Sequence, residues 1–282
     1  MESGKFTPLQ LAAAYKAACM GELQALKPGN VHAFADGHGM TVQDFILSAD
    51  VTAEIITRAG LTPGERIFLA AEATKKAVGQ NTNLGVLLLC APIIEAAMHV
   101  SASQSLAQCL NQALSALTVS DAEYVSKAIV LASPAGLGTA DQHDVHEKPH
   151  VSLLEMMRSA QDRDRISWQY ANSFQDIMAF GITRYTDALI KWGNPAWSAT
   201  ALYLSFLAHY PDTHVVRKYG AAFAESLMQE ASVFEQLHLA AENPKLVQKK
   251  LLDWDASLKQ RGINPGTSAD LTVATLLVSE LL

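Results

Sequence analysis

The chain has 282 residues, 49% of them hydrophobic, enough to bury a large core in one domain or two. A formal net charge of -7 and an isoelectric point near 5.7 argue against a general nucleic-acid surface, which shows as a clustered basic excess. The N-terminus lacks the basic-then-apolar order of a signal peptide, and the most lipid-like run, Leu84 to Ile94, is too short to span a bilayer, so a cytoplasmic protein acting on small ligands is expected.

Helix punctuation begins at once. "TPLQ" (Thr7 to Gln10) and "TPGE" (Thr62 to Glu65) each place threonine at an N-cap, proline at the first helical position and Gln or Glu three residues after the cap. Gly60 and Gly79 are placed to stop helices, "SDAE" (Ser120 to Glu123) repeats the cap-to-glutamate spacing, and "NPAW" (Asn194 to Trp197) puts proline after an asparagine cap. Apolar residues recur at three and four positions, as in Leu246, Leu251, Trp254 and Leu258, and no strand pattern is evident. Cys19, Cys90 and Cys109 sit in apolar helical surroundings without C-x-x-C spacing and read as reduced core residues. The polar run from Ser133 to His150 is long for a connection and reads as a functional or disordered loop. The expectation is an all-α fold, a single multi-helix domain over residues 1–282 whose polar loops converge on one nucleotide site.

Five stretches carry the polar inventory: "LKPGNVH", "GQNTNLG", "GTADQHDVHE", "PDTHVVRKYG" and "INPGTSADLT". Four lie beside a helix end, where free N–H groups bind anions. Asn81, Thr82 and Asn83 feed into an apolar helix and suit phosphate or ribose oxygens, or are simply caps. Lys27 suits a phosphate and Gly29 a close backbone approach, though Pro-Gly after a helix is also an ordinary turn. His143, Asp144, His146 and Glu147 are transition-metal ligand types, but without the H-E-x-x-H order or accompanying thiols. Asp212 and Thr213 offer oxygens to magnesium, while Arg217 and Lys218 suit polyphosphate; the plainer reading is a capped helix with a basic turn. Asp270 is expected in the first turn of the last helix, where a carboxylate also stabilises the dipole.

Taken in order, "KPGNVH", "NTNLG", "HDV", "PDT" and "NPGTSADLT" resemble the triphosphoribosyl-dephospho-CoA synthase family across almost the whole chain. The resemblance implies an all-α enzyme that joins ATP to 3′-dephospho-CoA, releases adenine and makes a prosthetic-group precursor. A ribose hydroxyl would attack C1′ of ATP, so carboxylates would serve an oxocarbenium-like transition state while cations held the triphosphate. On that basis Asp144 and Asp270 are the candidate catalytic carboxylates, and Asp212 with Thr213 the candidate pair for Mg²⁺. Lys27, Gly29, Asn30, Asn81, Thr82, Asn83, Gly85, His143, Lys218, Asn264, Gly266, Thr267 and Ser268 are the candidate substrate contacts.

The chain departs from the citrate-lyase members in three places. Asn83 and Leu84 follow the Asn-Thr pair where those carry histidine and lysine, "PAGLGTADQHDV" stands for an "RGEA"-type stretch, and Gly39 replaces an aspartate. These features resemble the family's NTNLG/HDV branch, found in archaea and in methylotrophic bacteria. Two alternatives therefore stay open: a ribosyl or phosphoryl transfer to a pterin-type acceptor in one-carbon cofactor synthesis, and a helical protein that binds nucleotides without turnover. Oligomeric state is not legible.

Overall fold

The computed structural model describes residues 5–133, 145 and 147–282. In chain order the helices are α1 (Pro8–Gln24), α2 (Val42–Ile56), α3 (Pro63–Val78), α4 (Leu84–Met98), α5 (Leu106–Ser115), α6 (Val119–Ala132), α7 (Leu153–Ala160) and α8 (Arg165–Ala171). A π-helical turn (Asp176–Gly181) then leads into α9 (Ile182–Trp192), α10 (Pro195–His209), α11 (Thr213–Tyr219), α12 (Ala221–Ala240), α13 (Gln248–Gln260) and α14 (Gly266–Leu281). Among the described residues the β-type pairings are isolated bridges such as His32 with Ala35, so the fold is all-α as expected. No described helix is long and apolar enough to cross a membrane.

The caps explain where the chain turns helical. Thr7 with Gln10 and Thr62 with Glu65 form reciprocal capping boxes before α1 and α3, each with proline in the first turn. Asn194 caps α10 by accepting from the Trp197 N–H. The start of α6 differs from the expectation at Ser120: the cap is Thr118, because the Asp121 carboxylate binds its N–H at 2.9 Å and its hydroxyl at 2.7 Å. Gly79 ends α3 in the left-handed conformation, as its position suggests. Gly60 does not end α2, which stops at Ile56. The Arg66 guanidinium binds the carbonyls of Ile56 at 3.0 Å and Arg58 at 2.5 Å, so a cation satisfies that helix end instead of a glycine.

Burial follows the apolar pattern. Helix α4 is hydrophobic all round, and Leu87, Leu89, Cys90, Ala91, Ile93 and Ile94 are fully enclosed, so the lipid-like run is core. One apolar cluster joins α1 to α8 with α4 and α14, and a second joins α10, α12 and α13 around Trp254, which stacks on Phe234 at 4.2 Å. Leu251, Trp254 and Leu258 share that second core as their period predicts, whereas Leu246, in a short 3₁₀ turn, is 79% exposed. The three cysteines are buried and free. Ala269 belongs to the second cluster and Leu271 to the first, so Asp270 stands at the seam between them.

Helix α3 closes on α6 without a side chain between them. The Gly64 N–H donates to Asp121 Oδ1 at 2.9 Å, and a Cβ at residue 64 would stand 2.5 Å from the Asp121 Cα. Gly64→Ala is therefore expected to lower stability by about 1–3 kcal/mol, the range for overpacking against backbone. Chemical denaturation with an unchanged m-value would check it, and a wild-type midpoint would mean the two helices separate at little cost.

Candidate active site

The site is built where the N-termini of α11 and α14 meet. Asp212 caps α11 through Oδ1, which accepts the N–H groups of His214 at 3.0 Å and Val215 at 3.1 Å. Its Oδ2 accepts the N–H and the hydroxyl of Ser268 in α14, both at 2.8 Å. Thr213 and Thr267 join hydroxyls at 3.1 Å; Thr267 also accepts the His214 N–H, and Thr213 the Arg165 N–H at 3.3 Å. Asp212, Thr213, Thr267 and Ser268 thus knit two helix starts together. Both Asp212 oxygens are engaged twice by N–H or O–H donors, so Asp212 with Thr213 does not fit a magnesium ligand pair. Among the described residues no group of three or more His, Cys, Asp or Glu is arranged to hold a metal ion.

The turn after α1 supports the same corner. Lys27 is fully buried and pairs with Glu22, so its charge is answered inside the protein and it does not line the cavity. Its ammonium also donates to Asn30 Oδ1 at 3.0 Å, and Asn30 Nδ2 donates to Asn264 Oδ1 at 2.7 Å. Gly29 has φ +86°, donates its N–H to Asp255 Oδ1 at 2.8 Å, and a Cβ there would meet Pro265 at 2.9 Å. The Gly29 carbonyl lies 2.7 Å from His38 Nε2. Lys27, Gly29 and Asn30 therefore hold the "INPG" loop, and Asn264 is the member of that network that lines the cavity.

The third wall is the start of α4. Asn81 Oδ1 accepts the Leu84 N–H at 3.1 Å and so does the capping, while Asn83, at the N-cap position, makes no side-chain cap. The Thr82 hydroxyl lies 2.5 Å from that of Ser48 and serves α2. Gly85 lies directly on Asp270, since a Cβ there would stand 2.0 Å from Asp270 Oδ2. Gly266 makes room in the same way for His214, whose Nδ1 would be 2.4 Å from a Cβ. Only a residue without a side chain permits either approach.

These walls enclose a cavity of about 800 Å³, large enough for a nucleotide with part of a second substrate. Asn81, Gly85, Lys218, Asn264 and Asp270 line it, together with Val145 from the long polar connection. The candidate residues His143 and Asp144 lie outside the described residues. Lys75, Arg163 and Arg217 also line it, with His38, Gln80, Asp164 and His214. Arg217 donates to Asp164 Oδ2 at 2.7 Å, and its Nε–H has no partner among the described residues. Burial lowers the pKa of His214, which lines the cavity, from the usual imidazole value. Lys75 and Arg163 carried no local signal: one is in the last turn of a helix and the other in a charged turn, and only the packing of α3 against α6 and α7 against α8 turns them inward.

Asp270 is the anomaly. It is the fifth residue of α14, not part of its first turn, because the helix begins at Gly266. Part of the side chain is open to the cavity, yet no described residue donates a hydrogen bond to it. Burial, reinforced by the charges of Asp212 and Glu22, raises its pKa well above the carboxylate range.

If Asp212 is a clamp, Asp212→Ala should cost about 2–4 kcal/mol, from a lost N-cap and from Ser268 donors left buried. Thermal melts should show that loss equally with and without magnesium. A magnesium-dependent rise in the wild-type midpoint, abolished by Asp212→Ala, would return Asp212 to metal binding.

Comparison with known proteins sets this corner in a family. No curated protein matches the sequence at a significant level. A crystal structure from Archaeoglobus fulgidus, of a protein provisionally named triphosphoribosyl-dephospho-CoA synthase, is similar with a TM-score of 0.62. The two are 21% identical over 85% of this chain and 98% of that one, a likeness of fold. The family model described as CitG, ATP:dephospho-CoA triphosphoribosyl transferase, matches residues 8–282. Spanning nearly every residue from α1 to α14, that match makes the chain a member of the ATP:dephospho-CoA triphosphoribosyl transferase family, and a transferase.

Proposed function

We propose that the cavity over Asp270 is where the family's reaction takes place, with the ATP triphosphate on the cationic wall and C1′ of its ribose toward Asp270. Lys75, Arg163, Arg217 and Lys218 offer the positive charge needed to hold a triphosphate whole while adenine departs. The observation that carries the reading is the Asp270 carboxyl, partly open to the cavity, given no hydrogen bond by any described residue and with its pKa raised by burial.

A carboxyl group whose pKa is raised by burial is suited to carry a proton and give it to the departing base. The C1′–N bond breaks with its electrons on adenine, which takes the Asp270 proton. The acceptor's ribose hydroxyl bonds to C1′ and returns a proton to the Asp270 carboxylate. The triphosphate passes through unchanged, and the group that started the cycle is restored. Magnesium would enter with the polyphosphate, the usual arrangement for this ion, and no step is assigned to it.

A pterin-type acceptor draws its support from Leu84 standing where other members carry a cation. That support weakens here, because Lys75 from α3 and Arg163 from the α7–α8 turn bring positive charge to the same cavity that Leu84 lines. Dephospho-CoA is accordingly the acceptor we favour, and both should be offered in parallel.

Asp270→Asn should cut adenine release from ATP and dephospho-CoA by at least ~100-fold, the low end for a general acid–base group. In the wild type kcat/KM should fall on the alkaline side as Asp270 loses its proton. Retained activity in Asp270→Asn would remove Asp270 from the chemistry, and binding of ATP without adenine release in the presence of either acceptor would favour the non-catalytic reading.

The same substitution separates function from stability. A carboxyl whose folded pKa is raised destabilises the fold progressively once the unfolded chain ionises, from about pH 4 upward, until the folded pKa is reached. Asp270→Asn should match the wild type in acid and melt at a higher temperature at neutral pH. Melting curves at both pH values would check the sign, and a lower midpoint at neutral pH would mean the carboxylate is ionised and stabilising.

A further inference from the structure

Beside the main cavity a second, much smaller one opens between the end of α3 and the start of α4. It has room for about 10 Å³, the size of a single water or oxygen atom. Two buried polar side chains face it without a hydrogen-bond partner among the described residues. Thr74, 2% exposed, has an unbonded hydroxyl, and Asn83, 7% exposed, has an unbonded Nδ2. The hydroxyl is unusual for a helical threonine: Thr52, Thr200, Thr272 and Thr275 each donate to the carbonyl four residues earlier, and Thr74 does not. Buried polar groups left unsatisfied cost stability, so what they are held open for is a fair question.

The lining answers by its charge. Besides Thr74 and Asn83 the cavity is walled by Lys75, Gln80 and Asn81 with three apolar residues, and among the described residues no carboxylate faces it. Helix α4 begins there and turns its positive end toward it. An amide N–H, a hydroxyl, an ammonium and a helix N-terminus together suit an anionic oxygen. Lys75, Gln80, Asn81, Leu84 and Ala132 line the large cavity as well, so a group seated in the large one can insert one atom into the small one.

We propose that the small cavity receives one oxygen of the terminal phosphoryl group of ATP, so that Thr74 and Asn83 measure the length of the polyphosphate. The assignment rests on the large cavity being the ATP site. A di- or monophosphate held by the same cationic wall leaves the small cavity empty and binds more weakly.

Equilibrium binding of ATP, ADP and AMP to the full-length protein tests this, with Thr74→Val removing only the hydroxyl and Thr74→Ser retaining it. Wild-type protein should bind ATP more tightly than ADP. Thr74→Val should weaken ATP roughly 10-fold, the effect of one hydrogen bond to a charged group, and leave ADP unchanged. Thr74→Ser should keep the preference, and each variant's melting curve shows that it is folded. Equal wild-type affinity for ATP and ADP would overturn the length measurement while leaving the ATP site in place, and so would an equal loss of both in Thr74→Val, the result expected if the cavity holds only water. Failure to bind any of the three nucleotides would instead strike the site itself.

Discussion

The corner that carries the site depends on one carboxylate. Two helices start at the same place, and helix starts are rich in N–H groups that have no partner of their own. Thr213, Val215, Thr267 and Ser268 at these two starts are buried, so their N–H groups need partners inside the protein. Asp212 serves both starts at once, two donors from α11 on one oxygen and two from Ser268 on the other. With α11 tied to α14 in this way, the basic last turn of α11, Arg217 and Lys218, lines the cavity that Asp270 also faces. A carboxylate that reads as a metal ligand is thus what sets the spacing between the cations and the acid.

Asp270 shows the opposite use of the same functional group. Asp212 is surrounded by donors, and among the described residues Asp270 has none. Gly85 lets the α4 backbone come close enough to bury it, the seam between the two apolar clusters fixes its height, and the carboxylates of Asp212 and Glu22 oppose its ionisation. Burying an unpartnered acid is unfavourable, and folds tolerate it where the proton is useful. The buried Lys27–Glu22 pair beneath the site belongs to the same economy of charge: a cation that could face phosphate is retained inside, and the cations that do face the cavity come from α3, the α7–α8 turn and α11.

The helical architecture was legible because its causes are local. Capping boxes at Thr7 and Thr62, the proline starts and Gly79 act through neighbours three or four residues away, and the heptad-like spacing of Leu251, Trp254 and Leu258 needs only the pitch of a helix. The exceptions are equally physical. Thr118 outcompeted Ser120 because Asp121 serves α3 as well as its own helix, and α2 ended four residues before Gly60 because Arg66, ten residues away from Ile56, caps it from another helix.

At the site, the amino-acid sequence by itself determined which stretches are polar and in what order they occur, and their order carried the family. It did not determine which of those residues face a ligand. Lys27, Asn30, Thr82, Thr267 and Ser268 are polar because the protein needs hydrogen bonds to join its own loops, and Lys75 and Arg163 face the cavity from ordinary charged helix ends. Whether a donor meets another residue or an open cavity is decided by groups that are distant in the chain, as Asp212 is from Ser268 and Gly85 from Asp270, and that information exists only once the helices have packed.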